Sequence, residues 1–301
     1  MAKRPCYVVD AFSAEPLAGN PAGVLLDGAS LDKSAMQRVA GELKHSETAF
    51  PLPAREPQSS LHLRWFTPTA EVAFCGHATL AAFHVLVEEA KRIRVPEQGV
   101  TRVSFTCLSG RLTAELSRDA QKQLQVLIET PASKFETVQL PLDVLTALGI
   151  IPEVIDPKIA PARSAILEGN LYLAVRDRDA LSRCKPDSEA LFALGKQLNV
   201  AGFVVYTLNP KPGVDAAMRC FFPDIGITED PVTGSAAGQL GVLIQQSAPE
   251  IMPRKLVITQ GDEVGRPGRV EVEVRPEATP GQIRGWIGGK ATVVLRGELF
   301  L

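Results

Sequence analysis

Arg64-Trp65-Phe66-Thr67-Pro68, followed by Glu71 and Cys75-Gly76-His77-Ala78, returns later in the chain as Arg219-Cys220-Phe221-Phe222-Pro223, followed by Glu229-Asp230 and Thr233-Gly234-Ser235-Ala236. Pro68 and Pro223 lie 155 positions apart and Gly76 and Gly234 lie 158 apart, so the copies differ by a small insertion. Each copy reads as an aromatic strand, a proline turn, and a glycine with a small or polar neighbour opening a helix. A helix start offers unpaired N–H groups and a partial positive charge, so two such starts suit a small anion held between the two halves of the chain.

The repeat extends beyond the motif. Ahead of the first copy, Met36, Val39, Ala40 and Leu43 recur with helical spacing, followed by a short strand from Glu47 to Phe50 and an alternating strand from Leu61 to Phe66. Ahead of the second, Leu191, Leu194 and Leu198 mark a helix begun by Pro186-Asp187, and strands follow at Phe203 to Leu208 and Ala216 to Phe222. Behind each motif helix stands a hairpin: Arg102 to Cys107 turning at Ser109-Gly110 into Arg111 to Ser117, and Lys255 to Gln260 turning through Gly265 to Gly268 into Arg269 to Arg275. The chain reads as two homologous α+β halves.

Composition agrees and removes several function classes. A chain of 301 residues with 45% hydrophobic content has room for two domains. The net charge is −2 and no basic cluster is denser than Lys91 to Arg94, which argues against nucleic acid or an acidic membrane as partner. No apolar run of about 18 residues and no signal-peptide pattern appears, so a cytoplasmic location is expected. Cys6, Cys75, Cys107, Cys184 and Cys220 are scattered and odd in number, which points to reduced thiols. His45, His62, His77 and His84 show no ligand spacing, and no glycine-rich phosphate loop occurs. No metal, nucleotide or other cofactor is expected.

The chemistry then falls to acid and base side chains. Glu47 stands in an otherwise apolar strand, where a carboxylate faces either solvent or a cleft; the matching strand of the second half, at Phe203-Val204, carries no acid. Asp230 lies in Thr228-Glu229-Asp230-Pro231, which by itself reads first as a turn-and-cap segment and only second as a carboxylate clamp. His77, in the first turn of an apolar helix, either packs there or serves as a cation anchor. Taken together, Glu47, His77, Asp230 and Ser235 form a candidate site at the edges of one cleft.

The motifs occur in an order that resembles the phenazine-biosynthesis PhzF-like family: Asp10-Ala11-Phe12, Gly19-Asn20-Pro21-Ala22-Gly23-Val24, Ser46-Glu47-Thr48-Ala49-Phe50, the two helix motifs above, and a tail from Gln260-Gly261 to Gly297. The resemblance implies a diaminopimelate epimerase-like fold of two pseudo-symmetric domains, each a curled, mostly antiparallel sheet or barrel around a central helix. Residues 1–118 with 289–301 would form one domain and 119–288 the other, the last strand returning to the first domain and the active site lying between them. It also implies a cofactor-independent isomerase that moves a proton between carbons of a small carboxylate. Glu47 would be the acid–base group, with His77 and Asp230 lining the substrate's polar groups. Asn20, Ser46, Gly76, Gly234 and Ser235 would bind substrate, the amides of Gly76-His77 and Gly234-Ser235 holding its carboxylate, and a homodimer is implied.

Taking a proton from carbon near neutral pH needs a base whose pKa approaches the working pH, and desolvation in a closed cleft moves a glutamate that way. The competing chemistry in the same broad fold is a two-thiol epimerase. Cys75 precedes Gly76, but its counterpart before Gly234 is Thr233, so only one thiol is present and Cys75 reads as a small buried residue. A binding protein that retained the site without turnover is the alternative outside enzymes. The stretch from Leu124 to Leu181 carries no recognisable motif, so substrate specificity is not written in the motifs.

Overall fold

The computed structural model describes residues 2–164, 169–246, 254–279 and 281–301. The chain divides into two units, Met1–Pro131 with Trp286–Leu301, and Ala132–Gly285. The first unit therefore runs past the expected limit at residue 118 and resumes before residue 289. The reason is the strand Leu124–Glu129, which pairs antiparallel with Gly110–Arg118 on one side and with Trp286–Gly289 on the other.

In the first unit the last strand, Ala291–Phe300, pairs antiparallel with Lys3–Ala11, which pairs in turn with Asn20–Leu25. Asn20–Leu25 runs parallel to Glu47–Pro53, which is antiparallel to Leu61–Phe66; that strand runs parallel to Thr101–Cys107, and the hairpin to Gly110–Arg118 follows. The helix Gly76–His84 packs against several of these strands and continues as a π-helical turn over Val85–Glu89. All its residues from Gly76 to Phe83 are buried, which fits a sequence apolar on every side. Outside the sheet lies the amphipathic helix Lys33–Leu43, capped by the Asp32 side chain on the Ala35 amide and ended by Lys44 in the left-handed conformation. Its Met36, Val39 and Ala40 join Leu25, Phe50 and Phe66 in one apolar cluster.

The second unit repeats this order of pairings. Leu171–Ala174 runs parallel to Phe203–Thr207, which is antiparallel to Ala216–Phe222; Ala216–Phe222 runs parallel to Arg254–Gln260, which forms a hairpin with Gly268–Pro276. The buried helix Gly234–Gln246 packs on that hairpin. An outer helix, Ser188–Leu198, is capped by Asp187 and ended by left-handed Asn199. The 155-residue offset of the sequence motif thus carries through to helix bounds, caps and strand directions. Among the described residues no helix is long and apolar enough to cross a membrane.

Both copies of the motif are buttressed by the same buried ion pair. Arg64 holds Glu71 through two hydrogen bonds of 2.6 and 2.9 Å, and Arg219 holds Glu229 through two of 2.8 and 2.7 Å. Each guanidinium also lies over the aromatic ring two residues on, Phe66 and Phe221, at 5.0 and 5.3 Å. The hydrogen bonds from Arg64 hold the Glu71 carboxyl below its usual range, outweighing its burial, and Lys33 adds to the effect. Two charges removed from water in this way brace the chain between each aromatic strand and the helix it feeds.

Candidate active site

Strands Asn20–Leu25 and Glu47–Pro53 run parallel, with Ala22 opposite Glu47, so their starting ends share one rim of the first unit. The start of the helix Gly76–His84 stands at the same rim. Asn20 is delivered there by Gly19, whose φ of +63° and 2.2 Å clearance between a would-be Cβ and the Ala11 carbonyl oxygen leave no room for a side chain.

Four predicted residues converge at this rim. His77 Nε2 lies 3.2 Å from Glu47 Oε2 and 3.3 Å from Ser46 Oγ, while His77 Nδ1 lies 3.4 Å from Asn20 Nδ2. Ser46 Oγ donates to Asn20 Oδ1 at 3.4 Å, and Cys75 Sγ stands 3.4 Å from His77 Nδ1. Glu47 is 8% exposed and His77 5%. Burial, with a smaller contribution from the charge of His45, pushes His77 down to about 3. Burial thus favours the neutral ring over the imidazolium, since little solvent is present to stabilise the charge. With Asn20 Nδ2–H and the Cys75 thiol facing Nδ1, the ring proton sits on Nε2 and is donated to Glu47. Neutral histidine then orients the carboxylate as a hydrogen-bond donor.

Cys75, a buried residue as expected, is the N-cap of the helix and makes no side-chain capping bond to it. The first amides, those of Gly76 and His77, have no partner within the helix and carry its positive end. Glu47, Cys75 and His77 each bring one ligand atom within 4.8 Å of the others, a donor set compatible with a metal ion, although hydrogen bonds already occupy both ring nitrogens.

Asp230, Gly234 and Ser235 belong to a second cluster, built within the second unit. Asp230, 6% exposed, ends the strand Ile227–Asp230 and accepts a hydrogen bond from the Thr233 hydroxyl. Sequence reasoning did not find the residue that holds this turn. Gln260, 3% exposed, accepts from the Thr233 amide at 2.9 Å and donates to the Asp230 carbonyl at 2.7 Å and to the Thr233 hydroxyl at 3.1 Å. Next to it, Gly261 has φ +95° and lies so close to Pro231 that a Cβ would stand 2.6 Å from the Pro231 carbonyl oxygen. The Gln260-Gly261 pair in the tail motif was the available signal.

Two rim clusters led by the same repeated motif, one with a glutamate and one with an aspartate, sit on a fold whose residues 9–297 match the PhzC-PhzF family, described as phenazine biosynthesis-like protein. The chain belongs to the PhzC-PhzF family. An isomerase of Salmonella typhimurium, named uncharacterized isomerase YddE, is 34% identical over 98% of each chain. The crystal structure of a PhzF-family phenazine biosynthesis protein from Bacillus anthracis superimposes over the whole of both chains with a TM-score of 0.89 at 24% identity. A hydroxyproline epimerase from Agrobacterium vitis, 12% identical with a TM-score of 0.64 over 99% of this chain and 92% of its own, has the same fold. The PhzC-PhzF chain is thus a member of an isomerase family with an epimerase-like α+β architecture.

Proposed function

We propose that the protein is a cofactor-independent isomerase that moves a proton between two carbons of a small carboxylate substrate, with Glu47 as the general acid–base group. The observation that carries this reading is Glu47 itself: a buried carboxylate, hydrogen-bonded by a neutral histidine, at the rim where a helix start offers free-facing amides. Glu47 takes the proton from one carbon and returns it at another, while His77 fixes the direction of the carboxylate through its Nε2–H. The amides of Gly76 and His77 offset the negative charge of the substrate carboxylate, and Asn20 and Ser46 contact its polar groups. Asp230, Gly234 and Ser235 are assigned to substrate binding, Asp230 as the acceptor for an amine or hydroxyl. The five free thiols suit a cytoplasmic enzyme.

The test is proton NMR in D₂O of wild-type and Glu47→Gln protein with a panel of small cyclic and amino carboxylates. Exchange or migration of carbon-bound hydrogen is expected in the wild type, reduced at least about 10²-fold in the variant, the lower end for a general acid–base group. An unchanged rate in Glu47→Gln would move the base elsewhere. The contact between Cys75 Sγ and His77 Nδ1 favours a second reading, an epimerase using the Cys75 thiol. That reading predicts exchange at a single carbon, lost in Cys75→Ala and inverted in configuration. Ligand-induced shifts without exchange for any compound would point to a binding protein.

A further inference from the structure

Three chemically different donors meet at the rim of the first unit. Glu47 offers an oxygen, His77 a ring nitrogen and Cys75 a sulfur; all three residues are buried, and one ligand atom of each lies within 4.8 Å of the others. His77 Nε2 stands 3.2 Å from Glu47 Oε2 and 4.0 Å from Cys75 Sγ. A tetrahedral zinc ion, with bonds of about 2.0–2.2 Å to nitrogen and oxygen and about 2.3 Å to sulfur, spaces such donors about 3.3–3.6 Å apart. The nitrogen–oxygen edge is already near that spacing, and the nitrogen–sulfur edge reaches it with about half an ångström of side-chain adjustment.

The repeat supplies an internal comparison. At the second motif Thr233 stands in the place of Cys75 and Ser235 in the place of His77, and the strand matching Glu47 carries Phe203 and Val204. The second motif helix, Gly234–Gln246, is buried without any of the three donors, so they belong to the chemistry of one copy and not to the packing of both. The surroundings also suit a ligating histidine. His77 Nδ1 faces the Asn20 amide at 3.4 Å, and a histidine that binds a metal through one nitrogen donates from the other. Turned about its last bond, the Asn20 amide presents its oxygen to Nδ1–H.

We propose that Glu47, Cys75 and His77 form an inhibitory site for zinc or a divalent cation of its class, with the fourth position left to water. The ion takes the Cys75 thiolate, releasing one proton to solvent, and His77 through Nε2, whose ring proton passes to Nδ1. Its third ligand is a Glu47 carboxylate oxygen, which is then no longer available to accept a proton from carbon. Inhibition rests on Glu47 being the acid–base group proposed above; binding does not. Thiolate and imidazole donors select against magnesium and calcium, which take oxygen ligands.

Cobalt(II) takes the same donors and reports sulfur ligation through a thiolate-to-metal charge-transfer band in the near ultraviolet. Wild-type protein, kept reduced by a phosphine, is expected to develop that band with one equivalent of cobalt and to lose it when zinc displaces the ion. Cys75→Ser puts a favoured N-cap residue at the helix start, which preserves the fold, and should show no band although Cys6, Cys107, Cys184 and Cys220 remain. Zinc affinity, measured by competition with a chromophoric chelator, should fall at least about tenfold in Cys75→Ser and in Glu47→Gln, the low end even for a partner that only orients a ligand. Circular dichroism checks that each variant folds. Zinc should stop carbon-proton exchange by the wild type in D₂O, a chelator should restore it, and magnesium should leave it unchanged. A wild type without the band, or a band of equal strength in Cys75→Ser, overturns the metal site and leaves the acid–base role of Glu47 standing. A band abolished in Cys75→Ser, with exchange untouched by saturating zinc, overturns the inhibition and with it the place of Glu47 as the base.

Discussion

Replacing His77 by glutamine tests the charge state on which the site depends. Folded His77 is held at about 3, against 6.5 for the free side chain, chiefly by burial. Below 6.5 the unfolded chain therefore binds a proton that the folded chain does not take up, so stability is complete above 6.5 and is lost as the pH falls toward 3. At about pH 5, some 1.5 units below the unfolded value, the loss from this one residue is about 2 kcal/mol at about 1.4 kcal/mol per unit. Glutamine keeps a donor for Glu47 but does not titrate. The stability difference between wild type and His77→Gln, from guanidinium unfolding followed by circular dichroism at about pH 7.5 and about pH 5, should shrink by about 2 kcal/mol at the lower pH. Contributions from other titrating groups cancel to first order in that difference. A gap that is the same at both pH values, or that widens in acid, would show that folded His77 is protonated and paired to Glu47 as an ion, and the orienting role assigned to its neutral ring would fall.

Arg219→Met leaves the Glu229 carboxylate buried and unpaired and strips donors from the carbonyls of Leu181 and Cys184, so it should cost about 3–5 kcal/mol in denaturant unfolding, most of it recovered in Arg219→Met with Glu229→Leu. Gln260→Leu removes the acceptor of the buried Thr233 amide and should lower stability by about 1–3 kcal/mol, measured the same way. Gly261→Ala forces a side chain against the Arg266 and Pro231 carbonyls at a positive φ, and a loss of more than about 1 kcal/mol in the same measurement is expected.

Much of the architecture was legible because the chain states it twice. The helices Lys33–Leu43 and Ser188–Leu198, the aromatic strands and the motif helices follow from periodicity and from the matching offset, since each rests on local spacing. Glu47, His77, Asn20 and Ser46 were identified individually, but their convergence depends on the parallel pairing of two strands separated by a helix, which spacing does not express. The unit boundary was misplaced because the strand Leu124–Glu129 finds its second partner at Trp286–Gly289, more than 150 residues on. Gln260 escaped notice because a buried amide that saturates a turn looks, in sequence, like any polar residue at a strand end. The two Arg–Glu pairs were visible as conspicuous letters in each motif, yet only the fold shows that they face each other.

The interruption of the first unit by the second has a consequence for synthesis. Residues 132–285 lie between the two pieces of chain that form the first unit. On the ribosome the second unit is complete before its host is, and the strand Lys3–Ala11, made ahead of it, keeps one flank open until Ala291–Phe300 arrives to zip along it. A strand made before the second unit is thus among the last to be finished, and a chain stalled near residue 285 would carry one folded unit and an unfinished sheet with a bare edge.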